Sequence, residues 1–269
     1  MSPIHLDLST PMRRPAINST DYTAVRAEAA LPTSVFPDVI PKNIIDDINA
    51  LIDEEHALAG HDGPPGLVVS KKLADQIASK IRLLPAFKKV EHTARANVAL
   101  LVETLAPRAS FNAKPLHIVR CVDPRIARES HCRHFDSHLL TLLIPLRLAE
   151  PSRSNGDLIV YTRFRPVPTT VRNVATKIKH GIQRSLPLAM RQNLTARDLH
   201  AGHCVRVVCE PGNVYAFNGF VTKHGNLNIE DGQRRSLLVH WYDPGRSAGV
   251  SQAMRMVRTL CNKVRHRVT

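Results

Sequence analysis

Apolar residues in the first part of the chain recur at three- and four-residue steps, which is the spacing of one face of a helix. A first helix is predicted to begin at Pro41, a second to run from Ser70 to about Leu84, and a third from about Pro85 to Leu105. No flexible linker divides these helices from the residues that follow. We therefore expect residues 41–113 to form a helical support that packs on a sheet.

The spacing changes near residue 114 to short apolar runs between turn residues, which is typical of a β-sandwich or barrel. Asn155-Gly156 and Pro211-Gly212-Asn213 supply turn chemistry between these runs. The predicted strands are residues 116–122, 133–136, 139–146, 157–162, 205–210, 214–217, 221–224 and 234–242.

Three segments do not follow these helix and strand patterns. Residues 1–40 are rich in Pro, Ser and Thr, and predict an extended arm before one domain of residues 41–269. Residues 163–206 interrupt the β core of residues 114–244 and predict a partly helical insertion. Residues 245–269 predict a basic amphipathic helix, which either docks on its own domain or contacts an anionic membrane surface.

The composition is that of a globular protein, with 43% hydrophobic and 22% charged residues. No run approaches the roughly 18 apolar residues of a membrane span, and residues 1–15 lack the apolar core of a signal peptide. Five scattered cysteines without a CxxC pair argue against a disulfide framework and suit a reducing compartment. We therefore expect a cytoplasmic protein, with peripheral contact to the inner face of a membrane as the alternative.

The net charge of +14 is concentrated in two segments. Residues 163–206 carry nine basic residues against Asp198, and the residues from Pro244 onward carry six basic residues and no acid. These two segments together account for the whole excess of positive charge. An anionic partner is therefore expected to meet one of them.

His134 and Asp136 stand two residues apart in a segment that reads as a strand. Residues i and i+2 of a strand point to the same face, so both side chains can reach one point. An imidazole and a carboxylate are two thirds of the facial triad that holds non-haem Fe(II). A zinc-protease interpretation with His138 fails, because that motif needs a helix with Glu directly after its first His.

A third candidate ligand and an anion anchor follow downstream. His224 ends a short strand, and ten residues later Arg234 begins another strand that also carries Ser236. The order of HxD, a distal His, an Arg ten residues on and a Ser in RxS resembles the Fe(II)/2-oxoglutarate-dependent oxygenases. The surrounding strands are most similar to the prolyl-hydroxylase-like branch, over about residues 114–244.

The resemblance implies an α+β fold with a mainly β core: a double-stranded β-helix of the jelly-roll, cupin-like type braced by N-terminal helices. It implies that His134, Asp136 and His224 are catalytic ligands of Fe(II), with 2-oxoglutarate and O2 as cosubstrates. It further implies that Arg234, helped by Ser236, binds the far carboxylate of 2-oxoglutarate. A planar guanidinium suits this role because its donors can hold a carboxylate bidentately.

The sequence also departs from the family pattern. Close relatives often hold the cofactor carboxylate with a Tyr on the second core strand, and here Thr141, Tyr161 or Ser236 would have to substitute. The carboxylate at Asp136 argues against a halogenase, which has a small residue there. Arg235 is expected to point away from the cofactor. Five other histidines are expected to be structural: His117, His131, His200, His203 and His240. Of these, His240 shares the strand face of Arg234. His138 is expected to be at most a supporting residue near the metal.

The implied reaction is hydroxylation of an unactivated C–H bond, coupled to conversion of 2-oxoglutarate into succinate and CO2. The basic insertion favours an anionic small molecule, a sugar or a lipid headgroup as the substrate. A nucleic-acid demethylase is the first alternative, but 4% aromatic residues leave few stacking platforms for a base. A non-catalytic cupin-like binding protein is the second, and it would show a broken triad or anchor. Desaturation or demethylation as the outcome, and the oligomeric state, stay open.

Overall fold

Eight strands form two antiparallel sheets in the part of the chain that a computed structural model describes, namely residues 33–59, 69–105, 114–125, 130–149, 155–165 and 170–243. The larger sheet has the order β1-β6-β3-β8-β2, and the smaller has the order β5-β4-β7. The strands are β1 (Ser34–Phe36), β2 (Leu116–Val122), β3 (Leu140–Arg147), β4 (Leu158–Phe164), β5 (Cys204–Val207), β6 (Val214–Phe217), β7 (Thr222–Asn226) and β8 (Arg234–Trp241).

The chain alternates between the two sheets as it advances. After β2 in the larger sheet, His134 joins the smaller sheet through a β-bridge to His224 on β7. The chain then passes to β3 in the larger sheet, to β4 and β5 in the smaller, and by turns to β6, β7 and β8. This winding is that of a double-stranded β-helix, the fold that the sequence predicted.

The helices of the first half pack on the outer face of the larger sheet, as predicted. Alternation along the strands explains the packing, since Leu142 and Leu237 face the helices while Leu143 and Leu238 face the space between the sheets. The helices are α1 (Lys42–Ala59), α2 (Lys71–Arg82), α3 (Pro85–Asn97) and α4 (Ala99–Leu105). None of the described helices combines the length and apolar character that a membrane span requires.

The insertion contains two helices, α5 (Thr170–Ser185) and α6 (Leu188–His200). The second packs on the outer face of the smaller sheet, where Leu199 contacts a cluster formed by Ile159, Tyr161 and Cys204. The inserted part is shorter than residues 163–206, because β4 continues to Phe164 and β5 already begins at Cys204. Strands β4 and β5 pair from Leu158 opposite Val207 to Tyr161 opposite Cys204, so the C-terminal end of the predicted range belongs to the sheet.

Several strand ends shift by one to three residues, and three other differences change an element itself. Ser34–Phe36 of the expected arm pair with β6 and add an edge strand to the larger sheet. The predicted third helix is divided at Val98, whose φ of −108° and ψ of 3° are not helical. Residues 133–136 form only the bridge at His134 rather than a strand. The rest of the arm, residues 1–32, and the predicted C-terminal helix lie outside the described residues.

Candidate metal centre

Three side chains from two distant parts of the sequence meet between the sheets. His134 and Asp136 come from the segment before β3, and His224 comes from the middle of β7. Asp136 Oδ1 lies 3.7 Å from His134 Nε2 and 3.5 Å from His224 Nε2. One donor atom from each residue lies within 4.8 Å of the other two, so the three could hold a single metal ion.

The backbone fixes the orientation of both imidazoles. His134 Nδ1 lies 3.1 Å from the carbonyl of Cys132, and His224 Nδ1 lies 3.0 Å from the carbonyl of Thr222. A carbonyl can only accept, so each Nδ1 must carry a hydrogen, which leaves Nε2 as the ring nitrogen that can bind a metal. Both Nε2 atoms therefore face the cluster, with the partner on the other ring nitrogen that metal-bound histidines have.

The carboxylate of Asp136 is held by its second oxygen. Thr141 Oγ1 donates to Asp136 Oδ2 at 2.6 Å and lies 3.0 Å from His240 Nδ1. The hydroxyl therefore accepts from His240 and donates to Asp136, which leaves Oδ1 directed at the two imidazoles. Gly219 provides the space, because a Cβ there would lie 2.7 Å from both Cβ and Cγ of Asp136. Sequence reasoning missed Thr141, His240 and Gly219 as neighbours of the metal site.

The protonation states suit a metal centre. Burial lowers the pKa of His134 to about 3, so this imidazole is neutral. Burial alone would raise the pKa of Asp136, but the neighbouring His224, His240 and His134 hold it well below its ordinary value. Burial would lower the pKa of His224, yet the Asp136 carboxylate raises it. The site therefore presents an ionised carboxylate next to the neutral imidazole of His134, a combination that favours a bound cation.

Arg234 lies at the start of β8 on the face directed between the sheets. Its Nη1 donates to the carbonyl of Gly156, which also accepts from Asn226 Nδ2 at 3.3 Å. Its buried Nε–H has no acceptor among the described residues. Burial, and to a smaller extent the charge of Arg120, lower its pKa to about 10, so the side chain remains a cation at neutral pH. A half-buried guanidinium without a carboxylate partner among the described residues is suited to bind one.

The neighbours of Arg234 on β8 alternate as expected for a strand. Ser236 is buried on the same face, and its position leaves it available to help bind an anion. Arg235 points to the helices, where it donates to the carbonyl of Asn49 at 3.1 Å and pairs with Asp53. The expectation that these two arginines point in opposite directions is confirmed.

The resemblance implies that Thr141, Tyr161 or Ser236 substitutes for the tyrosine that holds the cofactor carboxylate in close prolyl-hydroxylase relatives. Thr141 is committed to Asp136. Tyr161 lies on the outer face of the smaller sheet, where its hydroxyl donates to Asp198 at 2.6 Å. Neither side chain therefore takes that role in this structure, and Ser236 is the remaining member of the three.

Both helices of the insertion contact the segment that contains His134 and Asp136. His180 on α5 lies with its ring centroid 5.2 Å from that of His134 and its Nδ1 3.7 Å from Cys132 Sγ. Arg133, next to His134 in the chain, donates to Asp198 on α6 at 2.6 Å. The two helices are thus tied to the same segment that supplies two candidate ligands.

Several basic residues of the insertion have structural partners. Arg165 donates to the carbonyl of Phe220 at 2.8 Å and stacks on Phe135 at 4.0 Å. Arg191 is buried and bonds the carbonyl of Ser130, and Arg206 pairs with Asp157. Part of the positive charge that was expected to attract an anion is therefore used to hold the fold together.

Most of the remaining histidines have structural partners. His117 Nδ1 lies 2.8 Å from Asp75 Oδ1, and His131 Nε2 lies 3.0 Å from Asn228 Oδ1. His138 stacks on His240 with ring centroids 4.7 Å apart, which places it beside the network that orients Asp136. The sequence indicated only that His240 lies on the same strand face as Arg234. Its partner, Thr141, follows from the register in which β8 pairs with β3.

No protein-family model matches the sequence, and no curated protein matches it. Solved structures similar to the chain include a prolyl-4-hydroxylase from Pseudomonas putida, which is 11% identical, with a TM-score of 0.42, and covers 82% of this chain and 97% of that one. AviO1 from Streptomyces viridochromogenes is 14% identical, with a TM-score of 0.47 and coverage of 85% and 97%. EvdO2 from Micromonospora carbonacea, complexed with 2-oxoglutarate, is 13% identical, with a TM-score of 0.45 and coverage of 84% and 91%.

Proposed function

We propose that this chain is an Fe(II)- and 2-oxoglutarate-dependent oxygenase that hydroxylates a C–H bond of an anionic small molecule, a sugar or a lipid headgroup. The observation that carries the proposal is the cluster of two imidazoles and one carboxylate within 4.8 Å, with both Nδ1 atoms already bonded. Two histidines and a carboxylate on one face, with other positions open, are the ligand set of non-haem Fe(II) oxygenases.

His134, Asp136 and His224 would hold the Fe(II) ion. With 2-oxoglutarate and O2 bound, such an ion supplies the oxidising chemistry that breaks a C–H bond. The protein contributes the orientation of the ligands, since the Cys132 and Thr222 carbonyls fix the two imidazoles. Both rings are held at Nδ1, away from Nε2, so their orientation toward a metal would be set before it binds.

Arg234 would bind the far carboxylate of 2-oxoglutarate, and Ser236 would donate a hydroxyl to it. Support comes from the half-buried position of Arg234, its buried Nε–H without an acceptor among the described residues, and its place on the face of β8 that also carries His240. The bond from Nη1 to the Gly156 carbonyl holds the guanidinium in place. Gly156 has a φ of +78°, which L side chains rarely adopt, and an added Cβ would lie only 3.1 Å from Arg234 Nη1. Both the backbone conformation and the lack of space therefore favour glycine here.

The test is an anaerobic titration with Fe(II) followed by 2-oxoglutarate. We expect a weak visible charge-transfer band in the wild-type protein, and succinate formation when air is admitted. Asp136→Ala should lose the band because the metal site lacks its carboxylate. Arg234→Gln should need at least ten times more 2-oxoglutarate to reach the same band, because a charge-assisted bidentate contact is lost.

Arg197→Gln is the matched control, because Arg197 is an exposed arginine on α6 and its loss should leave both titrations unchanged. A wild-type protein that gives neither the band nor succinate would rule the proposal out. A normal 2-oxoglutarate titration in Arg234→Gln would be compatible with the proposed metal site but would show that Arg234 does not bind 2-oxoglutarate.

A further inference from the structure

Helix α5 of the insertion has two faces that differ in what they contact. The ring centroid of His180 lies 5.2 Å from that of His134, so this face of the helix is directed at the candidate metal centre. Ile178 and Ile182 are two residues before and two residues after His180, which places both of them roughly 160° around the helix from it. They therefore lie on the opposite face, where each of these residues is 61% exposed.

The exposure of this pair is the reverse of the usual arrangement, in which a surface helix turns its apolar side chains to the core. Ile178 and Ile182 are neighbours on successive turns because they are four residues apart, so they form one continuous apolar surface. Met190, in the first turn of α6, is also 52% exposed. Single exposed apolar residues are ordinary, but apolar residues grouped on the outer face of a helix mark an interaction surface.

The charges of α5 identify the kind of partner that this surface fits. The helix carries four basic residues and no Asp or Glu: Arg172, Lys177, Lys179 and Arg184. Lys179 is exposed and is next to Ile178 in the chain. Basic residues beside an apolar face are typical of a helix that lies on an anionic lipid surface. A second copy of the chain would bring the same positive charge against itself, and a nucleic acid would leave the isoleucines in water.

We propose that the outer face of α5, around Ile178 and Ile182, docks on the surface of an anionic lipid bilayer. The two isoleucines enter the boundary between headgroups and acyl chains, while the ammonium group of Lys179 stays at the level of the lipid phosphates. This docking does not depend on the proposed function. Its consequence for the substrate does rest on that function: among the three substrate classes, a lipid headgroup is the one that such a surface would present.

The experiment measures binding of the full-length protein to vesicles by sedimentation. One set of vesicles contains phosphatidylglycerol mixed with phosphatidylcholine, and the other contains phosphatidylcholine alone. We expect the wild type to bind the anionic vesicles at least roughly tenfold more tightly, because only these attract its basic residues. A double variant, Ile178→Asn with Ile182→Asn, should bind the anionic vesicles at least roughly tenfold more weakly, because the apolar contact is lost while the net charge is kept.

Matched variants make the test specific. Leu58→Asn removes an apolar side chain on α1, where the residue is 83% exposed, and it should bind vesicles as the wild type does. Lys179→Gln should lower the affinity for anionic vesicles about fivefold, because one cation near the lipid phosphates is lost. Lys72→Gln removes an exposed charge on α2 and should have no such effect. Thermal unfolding of the double isoleucine variant should match that of the wild type, since both replaced side chains are exposed.

Four results would each overturn the inference. The first is a wild type that does not bind anionic vesicles or binds neutral ones equally well. The second is a double isoleucine variant that binds as the wild type does, which would assign vesicle binding to another part of the chain. The third is an equal loss of binding in Leu58→Asn. The fourth is a wild-type dimer in solution that the double variant abolishes, which would assign this face to a second copy of the chain.

The vesicle measurements need neither metal nor 2-oxoglutarate, so they are independent of the proposed function. Vesicle binding without the Fe(II)–2-oxoglutarate band would support the docking surface and contradict the oxygenase. The band without vesicle binding would support the oxygenase and contradict the docking surface.

Discussion

At the scale of single residues, the candidate metal centre depends on a glycine without a side chain as much as on the ligands. Gly219 lies in the turn between β6 and β7, and its carbonyl accepts from the Asp136 amide at 2.8 Å. The Asp136 side chain lies where a side chain at position 219 would have to be. The close approach of these two loops therefore decides where the carboxylate points.

Gly219→Ala should weaken metal binding. The new methyl group would collide with Asp136 and turn its carboxylate away from the two imidazoles. Changes to residues that orient a ligand typically cost 10–100-fold in affinity, and we expect roughly that loss in a Mn(II) titration. Gly181→Ala is the control, because nothing lies within 4 Å of a Cβ at that position on α5. It should bind metal normally and gain up to about 1 kcal/mol in the free energy of unfolding. Wild-type affinity in Gly219→Ala would show that the loop can move aside at no cost.

At the scale of elements, one buried carboxylate ties α6 to the smaller sheet. Asp198 accepts from Arg133 and from the Tyr161 hydroxyl, both at 2.6 Å. Burial alone would raise the pKa of Asp198, but these two partners lower it below its ordinary value. A carboxyl with a lowered folded-state pKa stabilises the fold above its unfolded-state pKa, and this contribution is lost as the pH falls through the folded value.

Asp198→Asn should therefore be destabilising near neutral pH and matter less in acid. We expect a loss of about 1–3 kcal/mol in the free energy of unfolding at pH 7, because the amide leaves Arg133 without its counter-ion. The difference from wild type should be constant down to about pH 4, the usual pKa of an unfolded aspartate, and should shrink below it. Urea unfolding at pH 7, 5, 4 and 3 measures this.

Asp46→Asn is the comparison for that series, because the Asp46–Lys42 pair on α1 is exposed. Exposed pairs of this kind contribute about 0.5 kcal/mol or less, so its unfolding should differ little from wild type at any pH. If the deficit of Asp198→Asn grew instead toward acid pH, the lowered pKa could not be its cause.

The predictability of the elements depended on how local their signals are. Strands β2 and β6 have the bounds that the apolar runs predicted, because hydrophobic alternation and turn residues are local properties. The division of the third helix at Val98 and the pairing of Ser34–Phe36 depend on tertiary contacts. The face on which α6 packs depends on the ion pair between Asp198 and Arg133, two residues that lie 65 positions apart in the sequence. Such pairings leave no trace in local spacing.

The same distinction applies to the site. His134, Asp136, His224 and Arg234 were recognisable because their order and spacing form a motif. Thr141 and Gly219 are ordinary residues in the sequence, and they acquire a role only through the register of the strands and turns around them.

At the scale of the whole molecule, the segment before β3 is the place where the proposed metal binding would be coupled to folding. Four backbone hydrogen bonds attach it to the β6–β7 region: His131 to Asn226, His134 to and from His224, and Asp136 to Gly219. These bonds lie at the edge of the smaller sheet, while the larger sheet is buried beneath helices α1–α3. A metal ion would add a direct link between the segment and β7.

Metal should therefore stabilise the protein, most strongly at this edge. A ligand that binds only the folded state at 100 times its Kd contributes ~2.7 kcal/mol, which for a chain of this length corresponds to a rise in Tm of roughly 5–10 °C. Hydrogen exchange of residues 131–136 and 222–226 should slow on addition of Mn(II), while that of β3 and β8 should change less. Asp136→Ala should show neither effect, because without the carboxylate the two imidazoles alone bind the ion weakly. A metal-dependent rise in Tm that persisted in Asp136→Ala would place the bound ion elsewhere in the molecule and leave the His134–Asp136–His224 cluster without its assigned role.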